Sequence, residues 1–332
     1  MISFKEQLPD FAGRYHGGSF MTVKPPDFGG KPYRSLDYHL RNRYGEKIYK
    51  VSLDGGMTCP NRDGTLGKCG CIFCSEGGSG DFAGDRTHPV HQQIEEQKTR
   101  LSPKFPATHF IAYFQAYTNT YAPLSYLERI FTEAIEHEDI VGLSIGTRPD
   151  CLPDETLDLL SELNKKKPVT VELGLQTIHE RTAAFIRRGY KLSCFEDALE
   201  KLQERKLETV VHTILGLPGE TTEDILETMR YLNAHHIDGI KLQLLHVLKH
   251  TDLADYYGQS GFHILSEDEY VDLVIRCLEM LSPDITIHRL TGDGPSDLLI
   301  APLWSLKKRS VLNHIHHELK VRDTWQGRLF TE

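Results

Sequence analysis

Six short apolar runs, each followed by a helical pattern, constrain the fold of this chain more than any other feature. The runs cover residues 48–53, 109–114, 141–145, 169–175, 209–215 and 239–245. Each is rich in β-branched or aromatic residues, as strands buried on both faces are. Between them lie helical patterns at about 90–101, 124–137, 154–165, 180–187 with 194–205, and 222–235. Alternation with short connections demands parallel strands joined by right-handed crossovers. The expected fold class is therefore α/β, a partial (β/α)6 barrel; an open doubly wound sheet would satisfy the same periodicity. Acidic residues at Asp154-Glu155 and Glu223-Asp224 mark two helix starts. The chain divides into a lead-in over 1–47 with one short helix at 35–44, a barrel over 48–250, and a C-terminal α+β extension over 251–332. That extension has helices near 267–281 and 306–320 and a strand at 285–290.

The seven cysteines are unevenly placed. Four fall between Cys59 and Cys74, directly after the first strand, and Cys151, Cys194 and Cys277 are scattered. A disulfide framework would spread them through a short secreted chain, so the clustering points to metal ligation in a reducing compartment. Cys71-Ile-Phe-Cys74 is a CxxC pair, a common way to put two thiolates on one metal centre. Cys59 can reach that pair through a glycine-rich loop, and loops after the strands form the active face of a parallel barrel. Three thiolates on a four-iron cluster leave one iron open. A structural zinc site on Cys59, Cys69, Cys71 and Cys74 is the competing reading, although such sites usually use two knuckles and this loop has one. Cys71 is preferred over Cys69 because only Cys71 makes CxxC with Cys74.

The formal net charge of −9 argues against broad non-specific binding to nucleic acid, while leaving room for a local basic groove. The first 13 residues lack an apolar signal region, and no run of about 18 apolar residues suggests a membrane span. A cytoplasmic protein is expected.

With its cysteine loop and the aromatic Phe73 before the last cysteine, the chain resembles the radical S-adenosylmethionine (SAM) superfamily. The wide cysteine spacing resembles the branch of the Elongator catalytic subunit. The segments CPNRDGT, GSGDFAG, YFQAYTNTYAP and HTILGLPGET are similar to the YtqA group, also called MnmL. The resemblance implies a [4Fe–4S] cluster on Cys59, Cys71 and Cys74 that cleaves SAM to a 5′-deoxyadenosyl radical. It implies SAM contacts from Phe73, from Gly77 and Gly78 through their backbone, from Gln176 to the ribose and from Arg188 to the carboxylate. His212 stands where some relatives use an aspartate for the ribose; a satisfied core histidine is the plainer reading. The implied substrate is a tRNA wobble uridine, whose 5-carboxymethylaminomethyl group, with or without 2-thiolation, becomes 5-aminomethyl. The implied redox partner is an electron donor such as flavodoxin or ferredoxin. A radical SAM enzyme of a small metabolite or tetrapyrrole, and a zinc-stabilised RNA-binding protein, are the alternatives.

Further candidates follow the strands. Arg148 would face SAM or a substrate carboxylate, unless it pairs with Asp150 or Asp154. Gln115, Tyr117, Asn119 and Tyr121 would line the barrel mouth and hold a base by stacking and hydrogen bonds. His246, Lys249 and His250 would face substrate. Tyr33, Arg34, Tyr38, Arg41, Arg43 and Tyr44 of the lead-in are candidate RNA contacts, or else an arm packed on the barrel. Three basic clusters, Lys165–Lys167, Arg187-Arg188 with Lys191, and Lys307–Arg309, are solvated helix ends singly and a phosphate track together.

Overall fold

The computed structural model describes residues 26–78, 80, 82–101, 108–292 and 294–331. Ser79 and Asp81 of the glycine-rich stretch and the first 25 residues of the lead-in lie outside them. Nine strands are present among the described residues: β1 (Tyr49–Leu53), β2 (Phe110–Phe114), β3 (Ile140–Thr147), β4 (Val169–Gln176), β5 (Glu208–Leu215), β6 (Gly239–Leu244), β7 (Val247–Leu248), β8 (Thr286–Arg289) and β9 (Leu299–Ala301). The helices are α1 (Leu36–Tyr44), α2 (Val90–Leu101), α3 (Leu124–Glu136), α4 (Asp154–Lys166), α5 (Glu180–Phe185), α6 (Leu192–Glu204), α7 (Thr222–Ala234), α8 (Asp252–Ser260), α9 (Glu267–Met280) and α10 (Lys308–Val321). The main sheet runs β1-β2-β3-β4-β5-β6-β8, every neighbouring pair parallel. The strand expected in the extension thus adds a seventh member beside the six expected in the barrel, because α9 supplies one more crossover.

Side-chain reach across the sheet decides between a barrel and an open sheet. Lys50 on β1 bonds Glu172 on β4 at 2.7 Å, and Lys241 on β6 bonds Tyr113 on β2 at 3.0 Å. In a flat sheet those strands would stand about 14 and 19 Å apart at the usual strand spacing. The sheet is therefore curled strongly, with these side chains inside the curve. β1 and β8 are its two ends, so it is a partial barrel.

The outer faces of the strands are covered by helices whose apolar residues recur at helical spacing. In α3 the buried set is Leu127, Ile130, Phe131, Ala134 and Ile135, and Phe131 meets Phe114 of β2 edge-on at 5.1 Å between ring centres. Helix starts follow the local chemistry. Thr221 and Asp224 form a reciprocal capping box on α7, as do Ser266 and Glu269 on α9. Ser35 caps α1 through Tyr38 N.

The lead-in packs on the C-terminal extension at the N-terminal edge of the sheet. Tyr33 Oη bonds His316 Nε2 at 2.9 Å. Buried Gln326 accepts from Arg34 N at 2.9 Å and donates to the carbonyls of Ser282 (2.6 Å) and Ile285 (2.8 Å) just before β8. The packed-arm reading of Tyr33 and Arg34 therefore holds over the RNA-contact reading, since both sit at the end of the barrel away from the cysteine loop. No described helix is long and apolar enough to cross a membrane. Removing the Phe131 ring should empty a fully buried site: Phe131→Ala is expected to lower the unfolding free energy by about 3–5 kcal/mol, read by chemical denaturation, and a change under about 1 kcal/mol would contradict this packing.

Candidate active site

The cysteine loop leaves the C-terminal end of β1 and is tied down by a few bonds. Asn61 Nδ2 donates to the carbonyls of Arg187 (2.8 Å) and Arg188 (3.3 Å) beyond α5. Gly189 has φ +85°, and a Cβ there would lie 2.5 Å from Asn61 Oδ1, so this approach requires glycine. Arg62 Nη2 donates to the carbonyls of Cys74 (3.1 Å) and Ser75 (2.6 Å). Ile72 N donates to Ile186 O at 3.2 Å. These bonds deliver Cys59, Cys71 and Cys74 to one cavity of about 200 Å³ at the barrel mouth. A hydrogen bond from Cys74 is the main cause that lowers the Cys71 thiol to about 7, and the same bond with burial holds Cys74 well above the usual thiol range.

Facing the thiols, Gln176 ends β4 at φ +68°, beside a register shift between β4 and β5. Its Oε1 is buried without a hydrogen-bond partner. A non-glycine residue in this conformation and an unpaired buried acceptor are both costly, and such features collect at binding sites. Gly78 has φ +54°, and a Cβ there would run into the Tyr117 ring, which closes this side of the cavity.

Deeper in the barrel, Glu172 is fully buried. It accepts from Lys50 Nζ (2.7 Å), Ser144 Oγ (2.6 Å), His212 Nε2 (2.6 Å) and Lys241 Nζ. Burial pushes its carboxyl up, but the Lys241 and Lys50 charges outweigh burial and hold it well below the usual carboxylate range. Burial pulls Lys241 down to about 7 and, with the Lys241 charge, His212 to about 4. His212 is thus neutral at pH 7 and donates Nε2–H to the carboxylate. A second cavity of about 430 Å³ adjoins the first, and Phe73, Cys74, Gln115, Ile214, Gln243 and Arg289 line both. Phe82, His246, Gly292 and Gly294 are also part of its wall.

With this geometry in view, comparison with known proteins is direct. The Radical SAM superfamily matches residues 59–232, and the Radical_SAM C-terminal domain matches 237–321. This chain belongs to the radical SAM superfamily. It is 46% identical over 300 residues to the uncharacterized protein YtqA of Bacillus subtilis (strain 168), covering 90% of this chain and 93% of that one. It is 36% identical over 266 residues to protein YhcC of Escherichia coli (strain K12), covering 80% and 85%. Its fold matches the archaeal Methanocaldococcus infernus Elp3 with an N-terminal deletion, at a TM-score of 0.65 and 16% identity, over 84% of this chain and 64% of that one.

Radical SAM proteins use a [4Fe–4S] cluster and SAM, and this site suits both. Three thiols share one cavity while Cys69 is exposed and outside it. A single zinc would hold its sulfur ligands about 3.8 Å apart, from the usual Zn–S length. Among the described residues, no three of these thiols lie within 4.8 Å of one another; a four-iron cluster spreads its ligands more widely. The unpaired Gln176 Oε1 belongs to the wall of the same cavity and is free to accept from a hydroxyl of a bound group.

The remaining candidates sort by location. Phe73, Gly78, Arg188 and His212 line the thiol cavity, whereas Gly77 accepts from Gly80 N at 2.8 Å and is not among its walls. Arg188 is buried and donates to the carbonyls of Thr177 (2.6 Å), Tyr190 (3.1 Å) and Leu175 (3.3 Å); its Nη2 has no hydrogen-bond partner and lies 3.5 Å from Glu180. Arg187 instead turns outward to Asp252. Arg148 lines the cavity but forks onto Asp150, so the ion-pair reading holds. Gln115 and Tyr117 reach the cavity. Asn119 does not: it is fully buried and donates to Gly146 O at 2.8 Å. Tyr121 bonds Thr65 at 3.0 Å, outside both cavities, because the chain turns away into α3 there. His246 reaches the second cavity and bonds Ser305 Oγ at 3.2 Å. Lys249 donates to Asp297 O at 2.7 Å, and neither it nor His250 lines a cavity wall. Sequence reasoning missed Lys50, Lys241, Arg289, Tyr113 and Asn61. The signal for the lysines was a cation inside an otherwise apolar strand run, where water cannot solvate it.

His212 faces Glu172, Lys241 and Arg289. Its imidazole should stay neutral down to about pH 4 rather than titrate near 6.5, because burial and the Lys241 charge outweigh the Glu172 attraction. Ring NMR shifts across this range test it; protonation at pH 6 would show that the carboxylate dominates instead.

Proposed function

We propose that this chain is a tRNA-modifying radical SAM enzyme that converts the 5-carboxymethylaminomethyl group of a wobble uridine, 2-thiolated or not, to 5-aminomethyl. Cys59, Cys71 and Cys74 would hold the cluster through their thiolates, and SAM would bind beside it in the same cavity. Phe73, Gly78 and Gln176 fix the cofactor against the thiol cavity, and Arg188, buried on the cavity wall with Nη2 3.5 Å from Glu180, is the candidate for the SAM carboxylate. Bound there, cluster and SAM supply a carbon radical that abstracts hydrogen from the substrate, after one electron arrives from a flavodoxin- or ferredoxin-type donor.

The observation that carries this reading is the pair of joined cavities. One holds the thiols; the other, about 430 Å³, opens beside it and offers Phe73 and Phe82 rings with Gln115, Gln243 and His246 as polar edges. Single-stranded loop bases are commonly held by stacking plus hydrogen bonds to their edges, and a wobble base is a loop base that can be splayed out. The Lys307–Arg309 cluster follows β9, which pairs with β7 just beyond the β6 end of the mouth, where it can meet backbone phosphates. The likeness to YtqA over most of the chain and the Elongator-type cysteine spacing point the same way.

Anaerobically purified protein should be brown with iron and sulfide. Cys59→Ala, Cys71→Ala and Cys74→Ala should each abolish deoxyadenosine production, whereas Cys69→Ala should retain it; retained production in any of the first three would remove the ligand assignment. Nucleoside mass spectrometry of tRNA from a strain lacking the gene should show the carboxymethylaminomethyl form accumulating, and an unchanged nucleoside profile would reject the wobble substrate.

A further inference from the structure

All neighbouring strands of the main sheet are parallel, so a step of two residues along any of them keeps the same face and moves about 6.6 Å towards the mouth. Side-chain contacts define the floor of the barrel as Lys50, Tyr113, Ser144, Glu172, His212 and Lys241, one residue from each of β1 to β6. Two residues further on stand Ser52, Gln115, Gly146, Gly174, Ile214 and Gln243. Gln115 continues β2 by one position, its N bonded to Leu53 O at 3.3 Å. All six line the thiol cavity or the wider one beside it. They form the layer on which a bound molecule rests, since the interior of a parallel barrel is built in layers.

That layer is lopsided. β3 and β4 contribute glycines, which line the thiol cavity alone, and a Cβ at Gly174 would come 3.0 Å from Gln176 Nε2. Ser52 lines the wider cavity alone, while Gln115, Ile214 and Gln243 stand where the two cavities join. In the floor, Lys241 Nζ meets Tyr113 Oη at 3.0 Å across the barrel. Gln243 and Gln115, each one step above that contact, therefore project from facing walls. Both are half-buried, and among the described residues neither side-chain amide has a hydrogen-bond partner. The amides of Asn61, Gln93, Asn119 and Gln326 are instead all tied to backbone groups.

We propose that Gln115 and Gln243 are the specificity-determining pair for the substrate base, reading the imide edge of a pyrimidine from the two walls. The inference rests on the wobble-uridine reading and names the residues that recognise the ring. An amide presents an acceptor and a donor side by side. One of the pair accepts from N3–H and donates to O4, and the other donates to the acceptor at position 2. 2-Thiolation alters only the last of these contacts, so both forms of the base bind. The glycines on the other side of the layer leave the thiol cavity open to the cofactor.

The test is equilibrium binding to the cluster-loaded, SAM-bound protein of two anticodon stem-loop RNAs. One carries 5-carboxymethylaminomethyluridine at the wobble position, the other its N3-methyl derivative. The wild type should bind the first at least about tenfold more tightly, because the methyl group removes a donor and leaves an amide oxygen unmatched. Gln115→Leu and Gln243→Leu should each weaken binding of the first RNA at least about fivefold, and the double variant should bind both RNAs alike. If a leucine variant fails to load iron, Gln115→Glu or Gln243→Glu decides in its place, since a carboxylate cannot donate to a carbonyl. Equal binding of both RNAs by the wild type overturns the pair. So does a single variant that binds the first RNA as the wild type does, or an undiminished preference in the double variant. A loss of SAM affinity equal to the loss of RNA affinity assigns the amides to the cofactor and also overturns it. A wild type that shows the amide-dependent preference yet leaves the wobble base of tRNA unaltered upholds the pair and rejects the proposed reaction. Conversion of the wobble base together with equal binding of the two RNAs rejects the pair and leaves the reaction standing.

Discussion

The buried carboxylate of Glu172 is the interaction on which the barrel interior depends. From β4 it gathers Lys50 of β1, Ser144 of β3, His212 of β5 and Lys241 of β6. These contacts span strands that a flat sheet would keep well apart, so they and the curl of the sheet require each other. The arrangement also explains the protonation states inside. Two lysines keep the single acid ionised, and burial with the Lys241 charge keeps His212 neutral. A network of this kind is stable only when its members are satisfied, since one lost partner strands a charge out of water.

The cysteine loop poses the opposite problem. It has no regular secondary structure of its own and takes its shape from the connection beyond β4. Asn61 bridges to Arg187 and Arg188, and glycine at 189 permits the approach. The same connection buries Arg188 and positions Gln176, so the thiols and the residues facing them are set by a single packing contact. The cavity walls contributed after β1 and at the end of β4 are thereby coupled.

Under the proposed RNA substrate, an acidic chain must confine its positive charge. Lys165–Lys167 sits just before β4, at the edge of the sheet away from the mouth, where Lys166 pairs with Glu136. Arg187 and Arg188 are engaged with Asp252 and with backbone carbonyls. In the third cluster Lys307 and Arg309 are exposed, close in sequence to Ser305, which bonds His246 at the mouth, so any phosphate track there is short and local. The proposed loop-base substrate would need no more than this, because a splayed base brings its own stacking and edge contacts to a cavity.

Strand–helix alternation already dictated parallel strands, and the CxxC pair with one distant cysteine already marked a cluster loop in preference to a disulfide scaffold. The resemblance, rather than composition or periodicity, singled out Gln176 and Arg188, and the structure puts both on the wall of the thiol cavity. Periodicity could not separate a curled sheet from an open one, because both bury the same apolar runs; only contacts such as Lys50 to Glu172 decide it. Nor did the local sequence distinguish Asn119, which turns inward to a carbonyl, from Gln115, which lines the mouth, since both sit in one polar run. The cations of the barrel floor stayed hidden for the same reason: Lys50, Lys241 and Arg289 are far apart in the chain and acquire a shared role only where strand register brings them to one cavity. What the chain alone determined was periodicity and ligand chemistry, which are local; what the tertiary structure decided was convergence, which depends on how strands from distant parts of the sequence curve around a common interior.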